Sequence, residues 1–556
     1  MYIAGRGLAC ALGNTLQKSI TVLAAGRASS TSESPFFAID GEAPTDHASW
    51  TARARQLIVN AVKEAGGESI RHAPLFIASS SLNMGAVERG QTCRPDMHAE
   101  AEEFASWLGW QGPVYWISTA CTSSLNALIS ASRMMRAGLC DEALVLGIEL
   151  ANRYTRSGFA SMQLLSSSAA LPLGAQRDGL VLGEAVAALR LSRQPSRWAV
   201  LGGASVVDGR DPTGASREAV AACWREALQV SGLDVGAECI DVVKLQAAGS
   251  PSNDAIELDA INDVFTGAPA LISLKGHIGH TLGASGAAEI ALLTGLLEAG
   301  IWPVSHHEQD SDLPHALSPQ APPRTARVLA SIIGFGGSHS CSVLQDTSIA
   351  ADMPAPCVVP APSTWEICGC SGPVLPDNWR EALATQLGLR PRRIGVWAEA
   401  GLFGALQCMR DAGETSLPTR AILRISSLGG PMAAILKTLE TIAEDGMAMP
   451  VAFLQSQPGQ LPAIVAQALQ WQGDARIANH RDPLKLLHAA CREAGPAGVL
   501  IGWMEEDNKS AMASSYWLRL RAAQAPESAS FIAGAAADLQ TARYLRFGSL
   551  GLEIAR

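Results

Sequence analysis

The feature that most constrains the fold is a regular alternation of apolar strand-like and amphipathic helix-like segments along this 556-residue chain. One series of alternating segments ends near residue 195, and a second series of the same kind ends near residue 347. Strands that alternate with helices are typical of a largely parallel sheet covered by helices. The sequence therefore predicts an α/β protein in which residues 1–195 and 196–347 form two similar halves.

One cysteine lies at the junction between a predicted strand and a predicted helix. The apolar run 114–117 ends in small residues, Cys121 follows, and residues 125–135 carry apolar side chains at helical spacing. Backbone N–H groups and the helix dipole at such a position favour a thiolate and can also bind an oxyanion. Cys121 is therefore a predicted nucleophile. The alternative is a buried structural cysteine.

A change of composition marks a boundary after the second half. Residues 348–373 contain five prolines among small residues, and we predict that they form a linker. In the third unit, residues 374–556, a Trp-Gln-Gly unit at 471–473 repeats the one at 110–112, and the same count forward places Asp482 where the first half has Cys121. The third unit is thus predicted to resemble half of the same fold without a nucleophile, or else to be similar by chance.

Composition excludes several classes of function. The net charge of -10 argues against general nucleic-acid binding. The longest apolar segment, 287–302, contains Glu289 and Glu298 and indicates a buried helix rather than a membrane span. The N-terminus lacks a leader pattern, and the cysteines show no metal-ligand spacing. We expect a cytoplasmic protein with reduced thiols, no metal and no membrane span.

Three further segments contain side chains of the kinds that can act on a carbonyl group. Residues 275–286 begin with Lys275 and contain His277 and His280 ahead of a helix. Residues 334–340 form a glycine-rich turn around Phe335 and His339. Residues 246–254 form a polar loop that starts at Gln246 and leads into a helix containing Glu257.

With Cys121 and the Arg177-Asp178-Gly179 segment, these motifs resemble the β-ketoacyl-acyl-carrier-protein synthases of the thiolase superfamily over residues 1 to about 347. Within that family the chain looks most like the condensing enzymes of bacterial aryl-polyene pigment pathways. Residues 374–556 resemble the half-length ketosynthase-like proteins that accompany them. The resemblance implies a five-layer αβαβα fold of two similar halves, plus a C-terminal α/β domain that resembles half of it.

The resemblance also implies a role for each residue. Cys121 would accept the acyl chain from a thioester, and its backbone N–H would form an oxyanion hole with that of Phe335, which would also gate the pocket. His280 would bind the carbonyl of the malonyl unit and stabilise the enolate. Lys275 would hold this network in place, with Glu257 as a candidate support.

Partners follow from the same resemblance. Substrates would arrive on the phosphopantetheine arm of an acyl carrier protein in fatty acid or polyketide synthesis, with no bound cofactor. A homodimer, or a heterodimer with another ketosynthase, is expected through the strand ahead of the nucleophile. The candidate cations for docking the acidic carrier are Arg53, Arg55, Arg133 and Arg136.

One departure from the family pattern leaves the function open. Ala248 stands where the family has its first catalytic histidine, and the loss of one enolate donor costs about two to three orders of magnitude in rate. We hypothesise that His339, His277 or Gln246 partly replaces it, each otherwise being a structural polar residue. The alternatives to a condensing enzyme are a partner subunit like a chain-length factor and an acyl-shuttling relative that does not extend chains.

Overall fold

The computed structural model describes most of the chain as one continuous α/β molecule. The described residues are 1–26, 35–210, 214–235, 239–350, 352–355, 361–388, 391, 393–507, 512–524, 529–548 and 551–555. Residues 351 and 356–360 of the predicted linker therefore lie outside the described residues.

The described residues of the first half form five strands and six α-helices. They are β1 (Tyr2–Cys10), α1 (Leu16–Ala24), α2 (His47–Glu64), β2 (Leu75–Ala78), α3 (Met84–Val87), α4 (His98–Trp107), β3 (Val114–Ile117), α5 (Ser123–Arg136), β4 (Glu142–Glu149), α6 (Arg153–Ser161) and β5 (Ala185–Ser192).

In the second half, the part of the chain that the structure describes forms five strands and four α-helices. They are β6 (Trp198–Val207), α7 (Arg217–Val230), β7 (Val242–Lys244), α8 (Pro251–Val264), β8 (Ala270–Ile272), α9 (Lys275–Ile278), α10 (Ser285–Glu298), β9 (Arg327–Gly334) and β10 (Ser338–Asp346).

The C-terminal part, residues 365–555, supplies the remaining elements. They are β11 (Trp365–Ser371), α11 (Trp379–Leu387), α12 (Gly395–Asp411), β12 (Ile422–Ser426), α13 (Met432–Asp445), α14 (Pro450–Gln455), α15 (Gln460–Ala468), β13 (Ala475–Asn479), α16 (Pro483–Glu493), β14 (Val499–Asp507), β15 (Met512–Ala522), β16 (Ile532–Ala533), β17 (Tyr544–Gly548) and β18 (Gly551–Ala555).

The same strand order occurs three times along the chain. The first half pairs its strands in the order β3-β2-β4-β5-β1, the second in the order β8-β7-β9-β10-β6, and the C-terminal part in the order β13-β12-β14-β15-β11. In each sheet the first two pairings are parallel and the last two are antiparallel. The prediction of an α/β fold built from similar units is confirmed.

The two halves enclose a central helical layer. Helices α5 and α10 pack on each other and touch strands of both sheets, while α2 covers β1 and β5 and α7 covers β6 and β10 from outside. Every residue of α10 from Ser285 to Leu296 is buried, because the helix has sheets or helices on all sides. A helix that is apolar all round belongs in such a layer. The carboxyl end of β3 and the start of α10 thus meet inside the molecule.

The C-terminal part differs from the expectation at its beginning. Strand β11 lies within residues 348–373, which the prolines predicted to be a linker. Its sequence, with Cys368, Gly369 and Cys370, has no apolar alternation that would mark a strand. Pairing with β15 along Trp365–Ser371 holds it in the sheet. The connection between the second half and the third sheet therefore ends before Trp365.

The third sheet continues the first one through its edge. Strand β13 pairs antiparallel with β3, Ala478 facing Ile117 and Asn479 facing Trp116. The edge of β3, where the dimer was expected, is therefore occupied by the chain itself. Among the described helices, none has the length and apolar character needed to cross a membrane.

Candidate active site

A tight turn presents Cys121 at the end of β3. Ala120 has a φ of 52°, an unusual conformation for a residue with a β-carbon, and the hydroxyl of Ser123 spans the turn by accepting from the Thr119 N–H at 2.9 Å and donating to the Ala120 carbonyl at 2.6 Å. The thiol is only 5% exposed. The backbone N–H groups of Phe335 and Cys121 lower the pKa of the thiol against the larger effect of burial. The predicted nucleophile therefore lies at a strand-to-helix turn beside two N–H groups.

His280 faces the thiol directly. Its Nε2 lies 3.1 Å from the sulfur of Cys121 and 3.4 Å from the amide nitrogen of Gln246. The backbone N–H of His280 donates to the Val181 carbonyl at 2.7 Å, so the segment between Arg177-Asp178-Gly179 and β5 helps to position the imidazole. The structure thus brings the thiol of Cys121 together with a carboxamide and an imidazole that both lie more than a hundred residues further along the chain.

Lys275 supports the imidazole from behind, but its carboxylate partner is not the predicted one. Its ammonium donates to the Ser285 hydroxyl at 2.9 Å, and that oxygen lies 3.2 Å from Nδ1 of His280. The ammonium also forms a buried ion pair with Glu289, which Lys244 contacts from the other side. The expected pairing of Lys275 with Glu257 is wrong.

Glu257 instead shapes the loop that carries Gln246. One of its oxygens accepts from the Gln246 N–H and the other from the Ala247 N–H, both at 2.9 Å. Asp254 holds the next turn by accepting from the Ala248 and Gly249 amides at 3.0 and 3.1 Å. Four backbone donors thus fix this loop against the cavity, which makes Glu257 a positioning residue rather than a partner of the lysine.

Burial keeps the thiol and imidazole uncharged. It raises the pKa of Cys121 from 9.0 to about 11, although the charge of Lys275 opposes the shift. Burial also lowers the pKa of His280 well below 6.5, and Lys275 and Lys244 lower it further. Two groups with such shifts favour a neutral thiol beside a neutral imidazole. The imidazole can therefore accept the thiol proton when the sulfur attacks.

Cavities lie on two sides of the sulfur. One of about 60 Å³ is lined by Cys121, His280, Gln246, Ala248 and Phe335, among others. The methyl group of Ala248 thus lies where an imidazole would otherwise project.

A smaller cavity, of about 10 Å³, lies on the other side of Cys121, between Tyr154, Phe159 and Phe335 of the first two halves and Phe453 of α14. The ring centroid of Phe159 lies 6.2 Å from that of Phe335 and 5.9 Å from that of Phe453. This aromatic group closes the space beyond the sulfur. It includes a side chain from the C-terminal part.

The two other candidates for the missing imidazole lie elsewhere. His339 is buried in β10, and its Nε2 accepts from the Ser216 N–H at 3.4 Å. His277 lies on α9 near His306 and His307. Burial lowers the pKa of His277 and of His339 to about 4. Of the three candidates, only Gln246 lines the cavity with Cys121.

The proposed docking cations are mostly engaged in internal contacts. Arg53 binds Glu184 through two nitrogens, at 2.8 and 2.9 Å. Arg133 forms a short ion pair with Asp474, and Arg136 donates to the Leu201 carbonyl. These three side chains are wrong as docking candidates. Arg55, in the open groove between α2 and α4, stays a prediction.

Sequence reasoning missed several residues of the site. Glu289 was visible as an acidic residue in an apolar helix, which indicates a buried charge with a partner. Phe453 and Tyr154 gave no signal, since an isolated aromatic residue looks the same in any core. Their positions depend on contacts between distant parts of the chain.

Comparison with known proteins agrees with this geometry. Residues 96–196 match the family described as the β-ketoacyl synthase N-terminal domain, and residues 198–309 match its C-terminal domain. The erythronolide synthase EryA2 of Saccharopolyspora erythraea is 31% identical over 66% of this chain and 11% of its own length. The mycocerosic acid synthase-like polyketide synthase of Mycobacterium tuberculosis is 28% identical over 66% of this chain and 18% of its own. The chain thus spans less than a fifth of these relatives.

Solved structures show the same fold. The structure described as a ketosynthase (ApeO) in complex with its chain length factor (ApeC) from Xenorhabdus doucetiae is 27% identical, with a TM-score of 0.54 over 62% of this chain and 97% of that one. The PfaC ketosynthase-chain length factor has a TM-score of 0.72 over 94% of this chain and 78% of that one, at 13% identity. Residues 96–309 of this chain therefore carry both domains of the β-ketoacyl synthase family.

Proposed function

We propose that this protein is a condensing acyltransferase, which accepts an acyl chain on Cys121 and joins it to a malonyl unit carried by an acyl carrier protein. The observation that carries the proposal is the 3.1 Å contact between the Cys121 sulfur and the His280 Nε2, two buried groups that line one small cavity. Donors in such a site are worth more than in water, because little solvent screens them.

Acyl transfer to the thiol uses the neutral pair. The imidazole of His280 takes the thiol proton while the sulfur attacks the carbonyl carbon of the incoming thioester. The backbone N–H groups of Cys121 and Phe335 stabilise the oxyanion that forms. When the bond to the phosphopantetheine sulfur breaks, His280 returns the proton to that leaving thiolate. No charge is left buried at the end of the step.

Condensation requires an enolate. The malonyl carboxylate leaves as carbon dioxide, and its bonding electrons pass to the α-carbon, with the negative charge shared by the thioester oxygen. In the tautomer that carries a proton on Nε2, His280 can donate to that oxygen together with the amide of Gln246, since the two nitrogens lie 3.4 Å apart. The α-carbon then attacks the acyl carbonyl, and the bond to the Cys121 sulfur breaks. The Cys121 thiolate takes up one proton from solvent, which restores the neutral thiol.

The small volume of the cavity beside the sulfur implies that the side chains around it move when substrate binds. A cavity of about 60 Å³ holds no acyl chain and malonyl unit together, so Phe335 and the aromatic side chains beside it must move when substrate enters. Phe335 is 9% exposed and lies between the two cavities. These positions support its predicted role as a gate.

Ala248 favours a second candidate, an acyl-shuttling relative that transfers a chain without extending it. Acylation needs the thiol, His280 and the two backbone donors, whereas decarboxylation gains from every donor to the enolate. A site that lacks one imidazole is therefore expected to catalyse decarboxylation more slowly, while acylation of the thiol is unaffected. A partner subunit like a chain-length factor is less well supported, because Cys121, His280 and Lys275 are all in contact distance of their partners.

The substrate class and setting belong to the proposal too. We propose an acyl-carrier-bound polyketide or fatty acid substrate of the aryl-polyene kind, and the likeness to a ketosynthase (ApeO) that was solved in complex with its chain length factor supports a ketosynthase setting. Partners would be an acyl carrier protein and, in the cell, further enzymes of the same cytoplasmic pathway. A dimer remains a prediction, and it would need a surface other than the edge of β3.

Intact-protein mass spectrometry tests the proposal. The full chain is incubated with acyl-loaded and malonyl-loaded carrier protein, and we expect an acyl adduct on the chain followed by an extended chain on the carrier. Cys121→Ala should abolish both products. Cys140→Ala, a partly buried thiol away from the site, should leave both unchanged. An adduct without extension would select the shuttling candidate, and no adduct would refute both enzymatic candidates.

A further inference from the structure

The pairing of β3 with β13 follows an internal symmetry of the chain. The displacement along the sequence that carries Trp110 to Trp471 also carries Ile117 to Ala478. Those two residues face each other in the ladder, and the Ser118 N–H donates to the Ile477 carbonyl at 3.4 Å on one side of them. Equivalent strands thus meet antiparallel about a local two-fold axis, the arrangement that two identical subunits produce.

A cluster of buried charged side chains stabilises the same contact between the first half and the C-terminal part, on the side where α5 lies. Asp474, at the start of β13, accepts from Arg424 and Arg476 of the C-terminal part and from Arg133 of α5. Arg476 also donates to the Ser130 hydroxyl of α5 at 2.8 Å. All of these groups are at least four-fifths buried. Buried charges of this kind are costly to separate once they are paired.

The apolar contact is continuous with the core of the first half. Met432, Ile435 and Phe453 belong to the same cluster of buried side chains as the strands of the first sheet. Cys93 and Met432 bring their sulfur atoms within 3.8 Å across the contact.

The contact also reaches the candidate site. The Tyr154 hydroxyl donates to Ser456, and Phe453 and Gln457 line the cavity beside Cys121. A β-carbon at Gly336, in the turn next to Phe335, would lie 2.7 Å from the Gly459 carbonyl oxygen. The first two halves alone would therefore leave the pocket beside the nucleophile open on one side.

We propose that the C-terminal part is a built-in partner, which occupies within its own chain the strand edge and the pocket wall that a second subunit would otherwise supply. Each chain then carries one complete site. A second ketosynthase cannot pair through β3 unless the C-terminal part leaves. The inference concerns assembly, so it stands or falls separately from the proposed chemistry.

A thiol bridge across the contact tests whether it forms within one chain. Met432→Cys places a second thiol near Cys93, and the short bifunctional reagent dibromobimane fluoresces when it joins two thiols. We expect a fluorescent product that runs as a single chain on a denaturing gel at every protein concentration. The matched control combines Met432→Cys with Cys93→Ser and should give no bridge at residue 432 in a peptide map, where any bridge between Cys223 and Cys341, whose sulfur atoms lie 3.5 Å apart, is counted separately.

Two outcomes would overturn the proposal. A bridged product with the mass of two chains would show that the C-terminal part docks on another molecule. A folded variant, judged by its circular dichroism, that forms no bridge would show that the C-terminal part lies elsewhere.

Hydrogen exchange of the backbone amides in the unmodified chain gives a second, independent test of the proposal. Residues 114–117 should be protected to the same degree at low and at high protein concentration, because their partner strand is always present. Protection that rises with concentration would mean that a second chain covers β3, and would refute the built-in partner. A dimer through another surface leaves this protection unchanged and agrees with the proposal.

Discussion

Gln246 is the side chain placed to compensate for Ala248. It is 7% exposed, it lines the cavity with Cys121, and its oxygen has no hydrogen-bond partner among the described residues. We predict that Gln246→Leu, which keeps the volume and removes the donor, slows malonyl decarboxylation by about two to three orders of magnitude. Acylation of Cys121 should change far less. Release of labelled carbon dioxide and intact mass measure the two steps.

His339→Gln is the matched control for that prediction. His339 lies in β10 outside the cavity, so the rate of decarboxylation should stay within about twofold of the original. A loss of decarboxylation in His339→Gln, with Gln246→Leu unaffected, would contradict the assignment of Gln246.

Two lysines beside Glu289 allow a clean test of what tunes the thiol. Lys275 lowers the pKa of Cys121 against the larger effect of burial, whereas Lys244 acts on His280. Because the thiol pKa is about 11, the rate of iodoacetamide alkylation should still rise with pH above 9. Lys275→Met should move this rise to higher pH and slow alkylation at pH 8, by roughly tenfold for a shift of one pKa unit.

The matched variant is Lys244→Met. Each variant leaves Glu289 with one ammonium partner, so both have the same loss of charge. Lys244→Met should leave the pH profile of Cys121 close to that of the unchanged protein. Equal shifts in the two variants would mean that net charge, rather than the position of Lys275, sets the reactivity of the thiol.

The residues of the site were predictable to different degrees. Cys121 and His280 lie in motifs at strand and helix ends, where local sequence fixes both the turn and the function. Glu257 was assigned to the wrong partner, since spacing along one helix says nothing about which of two loops its carboxylate meets. The sequence could not decide which of Gln246, His277 and His339 lies beside Cys121. The answer depends on how three separate segments pack against one another, and no single stretch of sequence determines that.

At the scale of elements, the apolar strands were found almost to the residue, because burial on both faces produces short apolar runs. The apolar run 114–117, which was predicted to be a strand, forms β3 with the same bounds in the structure. Strand β11 was missed inside the supposed linker, since its half-exposed, cysteine-rich sequence has no strand periodicity. The pairing of β13 with β3 joins residues far apart in the chain, and only the Trp-Gln-Gly repeat pointed towards it.

Helix α14 sets the length of the pocket through one side chain. Phe453 packs on Tyr154 with ring centroids 5.5 Å apart, and it closes the cavity beside Cys121. We predict that Phe453→Ala raises kcat/KM for longer acyl chains relative to shorter ones, because the pocket is deepened. Removal of a buried phenylalanine should also cost about 3–5 kcal/mol of stability, visible as a lower Tm.

Val451→Ala on the same helix is the control. Val451 is 40% exposed, so its truncation should alter neither the preferred chain length nor the Tm appreciably. If Phe453→Ala loses stability while its chain-length preference stays unchanged, α14 supports the fold without shaping the pocket.

At the scale of the whole molecule, the first half and the C-terminal part share one apolar core and one ionic cluster. Parts joined in this way cannot expose their shared surface separately without a large cost, so we predict one cooperative thermal transition for the full chain. In differential scanning calorimetry the calorimetric and van't Hoff enthalpies should agree. Two resolved transitions would show that the C-terminal part is an independent domain.

The ionic cluster decides how strongly the two parts are coupled. Arg133→Ala removes the only arginine that α5 contributes to Asp474, and it should cost about 1.5–3 kcal/mol, the range for a hydrogen bond to a charged group. Because only the contact between α5 and the C-terminal part is weakened, the thermal unfolding transition should broaden or split as well as move to lower temperature. Arg217→Ala breaks an exposed pair with Asp263 inside the second half and should leave the curve unchanged. A uniform downward shift in Arg133→Ala, with the shape of the transition preserved, would mean that the apolar core alone couples the C-terminal part to the site.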